Sequence, residues 1–76
     1  MAVSRTKAIL EVLSRTGDPK IAPNVMKVFG ASSIAECLAT YDAVGKAERA
    51  SLDEAVERMT ANAGAAFWLS VESRMS

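Results

Sequence analysis

Apolar residues return every three or four positions along most of this sequence, and helix punctuation stands between the stretches that carry them. That period places side chains on one face of an α-helix, whereas a half-buried strand needs strict alternation. No segment alternates with β-branched enrichment, so strands are not expected. The sequence therefore predicts an all-α fold, a small three- to four-helix bundle with short connections and a long C-terminal helix.

The first helix is expected from an N-cap at Ser4 to about Arg15, with Thr6, Ile9, Leu10, Val12 and Leu13 on one face. Lys7, Glu11, Ser14 and Arg15 fall opposite, and Gly17 is the stop. Asp18-Pro19 reads as an N-cap followed by proline at the first helical position, although Pro23 leaves a start near Ala22 open. This second helix places Ile21, Ala22, Val25, Met26, Val28 and Phe29 on one side and ends at Gly30.

Ser33-Ile-Ala-Glu36 is a capping-box pattern that opens the third helix, whose buried stripe is Ile34, Cys37, Leu38, Tyr41 and Val44. Lys46 to Ala50 reads as a polar connection or a frayed extension. A second capping-box pattern, Ser51-Leu-Asp-Glu54, is expected to open the last helix. Its stripe of Leu52, Ala55, Val56, Met59, Ala63, Ala66 and Phe67 keeps register across Gly64. One helix to about Arg74 follows, at a cost of about 1 kcal/mol for the internal glycine; a break at Asn62-Ala-Gly64 is the alternative. The expected core is Ile9, Leu13, Val25, Phe29, Ile34, Leu38, Leu52, Val56, Met59 and Phe67.

Residues 1–76 are long enough for one domain only, and a chain of this size buries roughly 60% of its unfolded surface. The usual reinforcements are disulfides, metals, regular helix packing and self-association. One cysteine allows no intrachain disulfide, and the absence of histidine removes the commonest zinc ligand. Helix packing and self-association remain.

Catalysis is not expected. General acid–base work most often uses histidine, and Cys37, on an apolar stripe with no base to activate it, reads as an inert core thiol. Asp53, Glu54 and Glu57 are explained by the positive end of the last helix's dipole. Single, scattered glycines make no phosphate-cradling loop, so no metal, cofactor or small-molecule substrate is expected. The longest apolar run, Ala63 to Leu69, is far shorter than the ~20 residues that cross a bilayer. No secretory signal is visible, and a lone cysteine fits a reducing compartment, so the cytoplasm is the expected location.

The stretch from Ala61 to Val71 contains only Asn62 and Ser70 as polar residues. Its stripe accounts for Ala63, Ala66 and Phe67 but leaves Ala61, Ala65, Trp68 and Leu69 on the reverse side. A helix apolar all round is either wrapped by its own bundle or covered by a partner. Aromatic anchors among small residues suit the second case. Ala61, Ala65, Trp68 and Leu69 are therefore the candidate protein-contact face. The corresponding role is binding by contact, as an adaptor, inhibitor or regulatory subunit, or self-association into a homo-oligomer. A structural component of a larger assembly, such as a phage particle, has the same signature.

The rival reading is a DNA-associated regulator. Net charge is zero, but residues 1–30 carry +3 and the rest −3, with Arg5, Lys7, Arg15, Lys20 and Lys27 as the candidate phosphate contacts. The short glycine-containing turn Phe29-Gly-Ala-Ser-Ser33 between helices two and three suits a divergent helix-turn-helix. A recognition helix needs Arg, Lys, Asn or Gln at base edges, and helix three offers Ala35, Glu36, Ala39, Thr40, Asp42 and Ala43. Nucleic acid is therefore the less favoured partner.

Overall fold

Ser4 sets the start of the chain's first helix in the way its position suggests: its hydroxyl accepts the Lys7 N–H at 3.2 Å. The computed structural model of the chain describes residues 4–75. Among these, α1 spans Arg5–Thr16, α2 Ala22–Phe29, α3 Ile34–Ala43, α4 Lys46–Thr60 and α5 Ala65–Met75, with no strands. The protein is a small all-α bundle, as the sequence pattern predicts.

The centre of the bundle is α1, which packs against α3, α4 and α5, while α2 covers α3 and α4. Ala8, Ile9, Leu10 and Leu13 have no exposed surface, and Val12 and Thr6 have almost none. A helix that buries three sides needs apolar residues beyond one stripe, and Ala8 and Val12 supply them. Each fully buried Ile or Leu side chain contributes about 1.5–3 kcal/mol. Val25, Cys37, Tyr41, Val56 and Val71 close the core around α1. Met59 departs from expectation, at 45% exposed.

Glycine terminates the first two helices. Gly17 (φ 59°) and Gly30 (φ 64°) both adopt the left-handed conformation, where a Cβ is disfavoured, and each donates its N–H back to the preceding turn. Between them, Asp18 forms a local turn, accepting the Lys20 N–H at 2.9 Å, rather than capping a helix at Pro19. Pro23 then lies in the first turn of α2, where no intrahelical N–H is needed.

The first capping box forms by half. Ser33 Oγ accepts the Glu36 N–H at 3.1 Å. The Glu36 carboxylate reaches one residue further back than the motif requires and accepts both the N–H and the hydroxyl of Ser32. Those bonds hold its carboxyl below the usual range.

Two expectations for the C-terminal half need correction. The segment Lys46 to Ala50 is helical, so Ser51 lies inside α4 and caps nothing. Alanine, lysine, glutamate and arginine all favour a helix, and Gly45 in extended conformation supplies the N-cap. Arg49 fixes the turn, donating to the carbonyls of Tyr41 (3.3 Å) and Val44 (3.1 Å) with its guanidinium over the Tyr41 ring.

The long C-terminal helix is divided at residues 61–64 into α4 and α5, at the alternative break. A straight helix over residues 46–75 would measure about 45 Å, against a body of 30 × 29 × 19 Å. Only a bend brings Phe67, Trp68 and Val71 back onto the core. Thr60, fully buried, donates its hydroxyl to the Val56 carbonyl at 2.8 Å, and such back-bonding favours bending there. Asn62 and Gly64, both poor helix formers, follow.

Candidate interaction site

α5 rests on α1, with Val71 fully buried and Phe67, Trp68 and Met75 packed partly against the core. Arg74 on α5 pairs with Glu11 on α1 at 3.6 Å. The other end of the contact is held by Arg5, whose guanidinium lies 4.6 Å from the Trp68 ring centroid and also pairs with Glu57 on α4. Phe67 meets Trp68 edge to face at 5.2 Å.

This arrangement separates the four candidate contact residues. Trp68 faces inward under Arg5. Leu69 faces outward at 67% exposure. Ala65 is exposed one turn before Leu69, and Ser73 is exposed one turn after it, on the same line of the helix. Ala61 is also exposed but belongs to the end of α4, across the bend from the other three. The exposed face on α5 is therefore Ala65, Leu69 and Ser73, with Ala66, Ser70 and Glu72 beside them. Between this face and α1 runs an open groove of about 560 Å³, lined by Val12, Arg15, Thr16, Leu69, Ser70, Ser73 and Arg74.

The basic residues of the N-terminal third do not form one stripe. Arg5 and Lys7 are paired, with Glu57 and with Asp42 (3.6 Å) respectively. Arg15 stands at the far end of α1, about 15 Å along the axis from Arg5. Lys20 borders a second groove beside Met59 and the 61–64 bend, and Lys27 is exposed in the last turn of α2. On α3, the exposed residues are Ala35, Glu36, Ala39, Asp42 and Ala43, which are small or acidic.

A polar cluster at the α1 N-terminus was hidden in the sequence. Asp53 accepts the hydroxyls of Thr6 (2.6 Å) and Tyr41 (2.7 Å), while the Ser4 hydroxyl approaches that of Tyr41 at 3.4 Å. Because α4 begins at Lys46, Asp53 lies mid-helix and the helix dipole does not account for it. The available signal was spacing: Asp53, Val56 and Thr60 share one face, so a carboxylate was due to point at the core. Among the described residues, no buried side-chain polar atom lacks a partner.

Cys37 is fully buried, and burial, reinforced by the neighbouring Glu36 charge, pushes its thiol up. No group of metal-ligating side chains occurs among the described residues, and no helix there is long and apolar enough to cross a membrane. Among the described residues the geometry defines a bundle of five helices centred on α1, with Leu69 exposed on the outer face of α5. No protein-family model, curated protein or solved structure matches the chain.

Proposed function

We propose that this chain is a small non-enzymatic protein that acts by protein–protein contact and self-associates through α5. The observation that carries the reading is Leu69, 67% exposed in mid-helix with exposed alanines in the turn before it and Ser70, Glu72 and Ser73 in the turn after it. Small neighbours let a second helix approach closely enough for that leucine to be buried on association. Adaptor, inhibitor and assembly-component roles all use such a face. The small and acidic exposed residues of α3 favour a protein partner over duplex DNA, since they provide neither base-edge donors nor attraction to phosphate.

Size-exclusion chromatography with light scattering, on wild type and Leu69→Ser, tests the reading. A wild-type oligomer and a helical Leu69→Ser monomer are expected. A wild type that stays monomeric up to millimolar concentration overturns self-association through this face.

A further inference from the structure

We propose that the groove between α1 and α5 binds an acidic peptide segment of a protein partner, with a partner carboxylate held by Arg15 and an apolar side chain laid against Leu69. The proposal rests on the reading of α5 as a protein-contact surface and names the chemistry of the partner. It does not require self-association.

The groove carries positive charge. Among the residues lining its volume of about 560 Å³, the charged groups are Arg15 and Arg74, and no carboxylate accompanies them. Glu11 balances Arg74 at 3.6 Å, a separation too long for a hydrogen bond, so the N–H groups of Arg74 stay uncommitted. Arg15 is exposed, and no carboxylate lies within pairing distance of it among the described residues. The excess charge is therefore that of Arg15, whose planar fork of donors fits the two oxygens of a carboxylate. Glu72 falls about 160° round α5 from Ser70, on the flank turned away from the groove.

The hydroxyls select among anions. Thr16 donates its hydroxyl to the Val12 carbonyl and Ser70 donates its own to the Ala66 carbonyl, both at 3.1 Å. With those protons committed, the two oxygens have only lone pairs to offer a ligand. A ligand that satisfies this lining brings N–H donors together with negative charge. Peptide backbone carrying an acidic side chain has both, whereas a fully ionised small oxyanion has no donor.

The apolar lining favours a segment over a solute. It consists of Val12, 3% exposed, and Leu69, 67% exposed. A small solute in the groove leaves the outer side of Leu69 wet, and a segment running along α5 covers it. The volume falls in the range of roughly 300–1,000 Å³ typical of small-ligand sites, which suits a few residues of a partner and not a folded surface.

The probes are the capped hexapeptide acetyl-Ala-Leu-Glu-Glu-Leu-Ala-amide, its counterparts with Gln-Gln or Lys-Lys at the centre, and inorganic phosphate. Each is titrated at low salt into isotope-labelled protein, and the backbone amide and Arg15 Nε–H resonances are followed by NMR. The Glu peptide should move the signals of Val12, Arg15, Thr16, Ser70 and Ser73. It should bind roughly fivefold more tightly than the Gln peptide and lose that advantage as salt is raised. Arg15→Gln should remove the advantage, and Arg15→Glu should turn the preference toward the Lys peptide.

Equal binding of the Glu and Gln peptides, or shifts centred away from the groove, overturns the proposal. Phosphate binding as tightly as the Glu peptide also overturns it, by making the groove a site for simple anions. Should Arg15→Glu lose helicity by circular dichroism, Arg15→Gln and the salt dependence decide. Light scattering on the same samples separates this proposal from self-association. A monomer that binds the Glu peptide in the groove supports the acidic-segment site and removes self-association. An oligomer whose groove signals ignore the peptide overturns the acidic-segment site and leaves self-association standing.

Discussion

Tyr41 and Asp53 are joined by a 2.7 Å hydrogen bond that ties α3 to α4, and Thr6 brings α1 into the same carboxylate at 2.6 Å. One acidic side chain thus connects three helices at the end of the bundle where α1 begins. Thr6 is only 2% exposed and Tyr41 only 4%, so neither hydroxyl has easy recourse to water.

Asp53→Ala is therefore expected to destabilise the protein by about 1–3 kcal/mol, the cost of leaving buried donors unpaired. Tyr41→Phe removes the donor as well as its demand and should cost about 0.5–1.5 kcal/mol. Urea denaturation followed by circular dichroism measures both. Asp53 combined with Tyr41 in a double-mutant cycle should show less than additive loss, because the two substitutions delete the same bond. Strict additivity would mean that the bond contributes nothing to stability.

The same residue gives the protein an alkaline limit. Burial raises the Tyr41 phenol above its ordinary value, and the Asp53 charge adds to the rise. The folded state therefore holds this proton more tightly than the unfolded chain does. Its contribution to stability is complete below the unfolded value near 10 and is lost as pH climbs through the higher folded value. Urea midpoints measured from pH 8 to pH 11 should fall at the upper end, and Tyr41→Phe should flatten that fall. A fall of equal steepness in Tyr41→Phe would place its cause elsewhere, the raised Cys37 thiol being the next group of the same sign.

Cys37 should be chemically silent in the folded protein. It is fully buried, and its raised pKa keeps it as the thiol rather than the nucleophilic thiolate. An aromatic disulfide reagent at pH 8 should label it at the rate of transient unfolding, and at once in 6 M guanidinium. Labelling of the native protein as fast as a free cysteine peptide would contradict the burial.

How far the sequence carried the fold can be read at individual residues. Ser4 and Gly17 bound α1 because a cap and a left-handed stop are local features, decided within one turn of chain. Ser51 misled for the complementary reason. A capping box is only an option, and the five residues before it were already good helix formers anchored by Arg49, a contact that spacing does not reveal. The division at 61–64 depends on what α5 can reach after turning back, which is a property of the whole bundle. Trp68 and Leu69 were grouped together because both lay off the apolar stripe. The bend rotates that frame, and α1 covers the first and leaves out the second.

That separation can be measured on adjacent residues. Trp68 packs partly against the core, stacks under Arg5 and meets Phe67 edge to face. Trp68→Ala loses buried apolar area, an aromatic pair worth about 0.5–1.5 kcal/mol and a cation–π contact worth about 0.5–1 kcal/mol. A total loss of about 2–4 kcal/mol is expected, below or near the ~3–5 kcal/mol of a fully buried aromatic deletion. Leu69→Ser, by contrast, changes an exposed position and should stay within about 0.5 kcal/mol in the monomer. Thermal and urea unfolding at concentrations low enough to exclude association compare the two directly. As the only tryptophan in the chain, Trp68 also reports on Arg5. Arg5→Ala should shift its emission to longer wavelength as water reaches the ring, while Leu69→Ser leaves it in place. Equal destabilisation by Trp68→Ala and Leu69→Ser would mean that α5 is rotated about its axis from the orientation described.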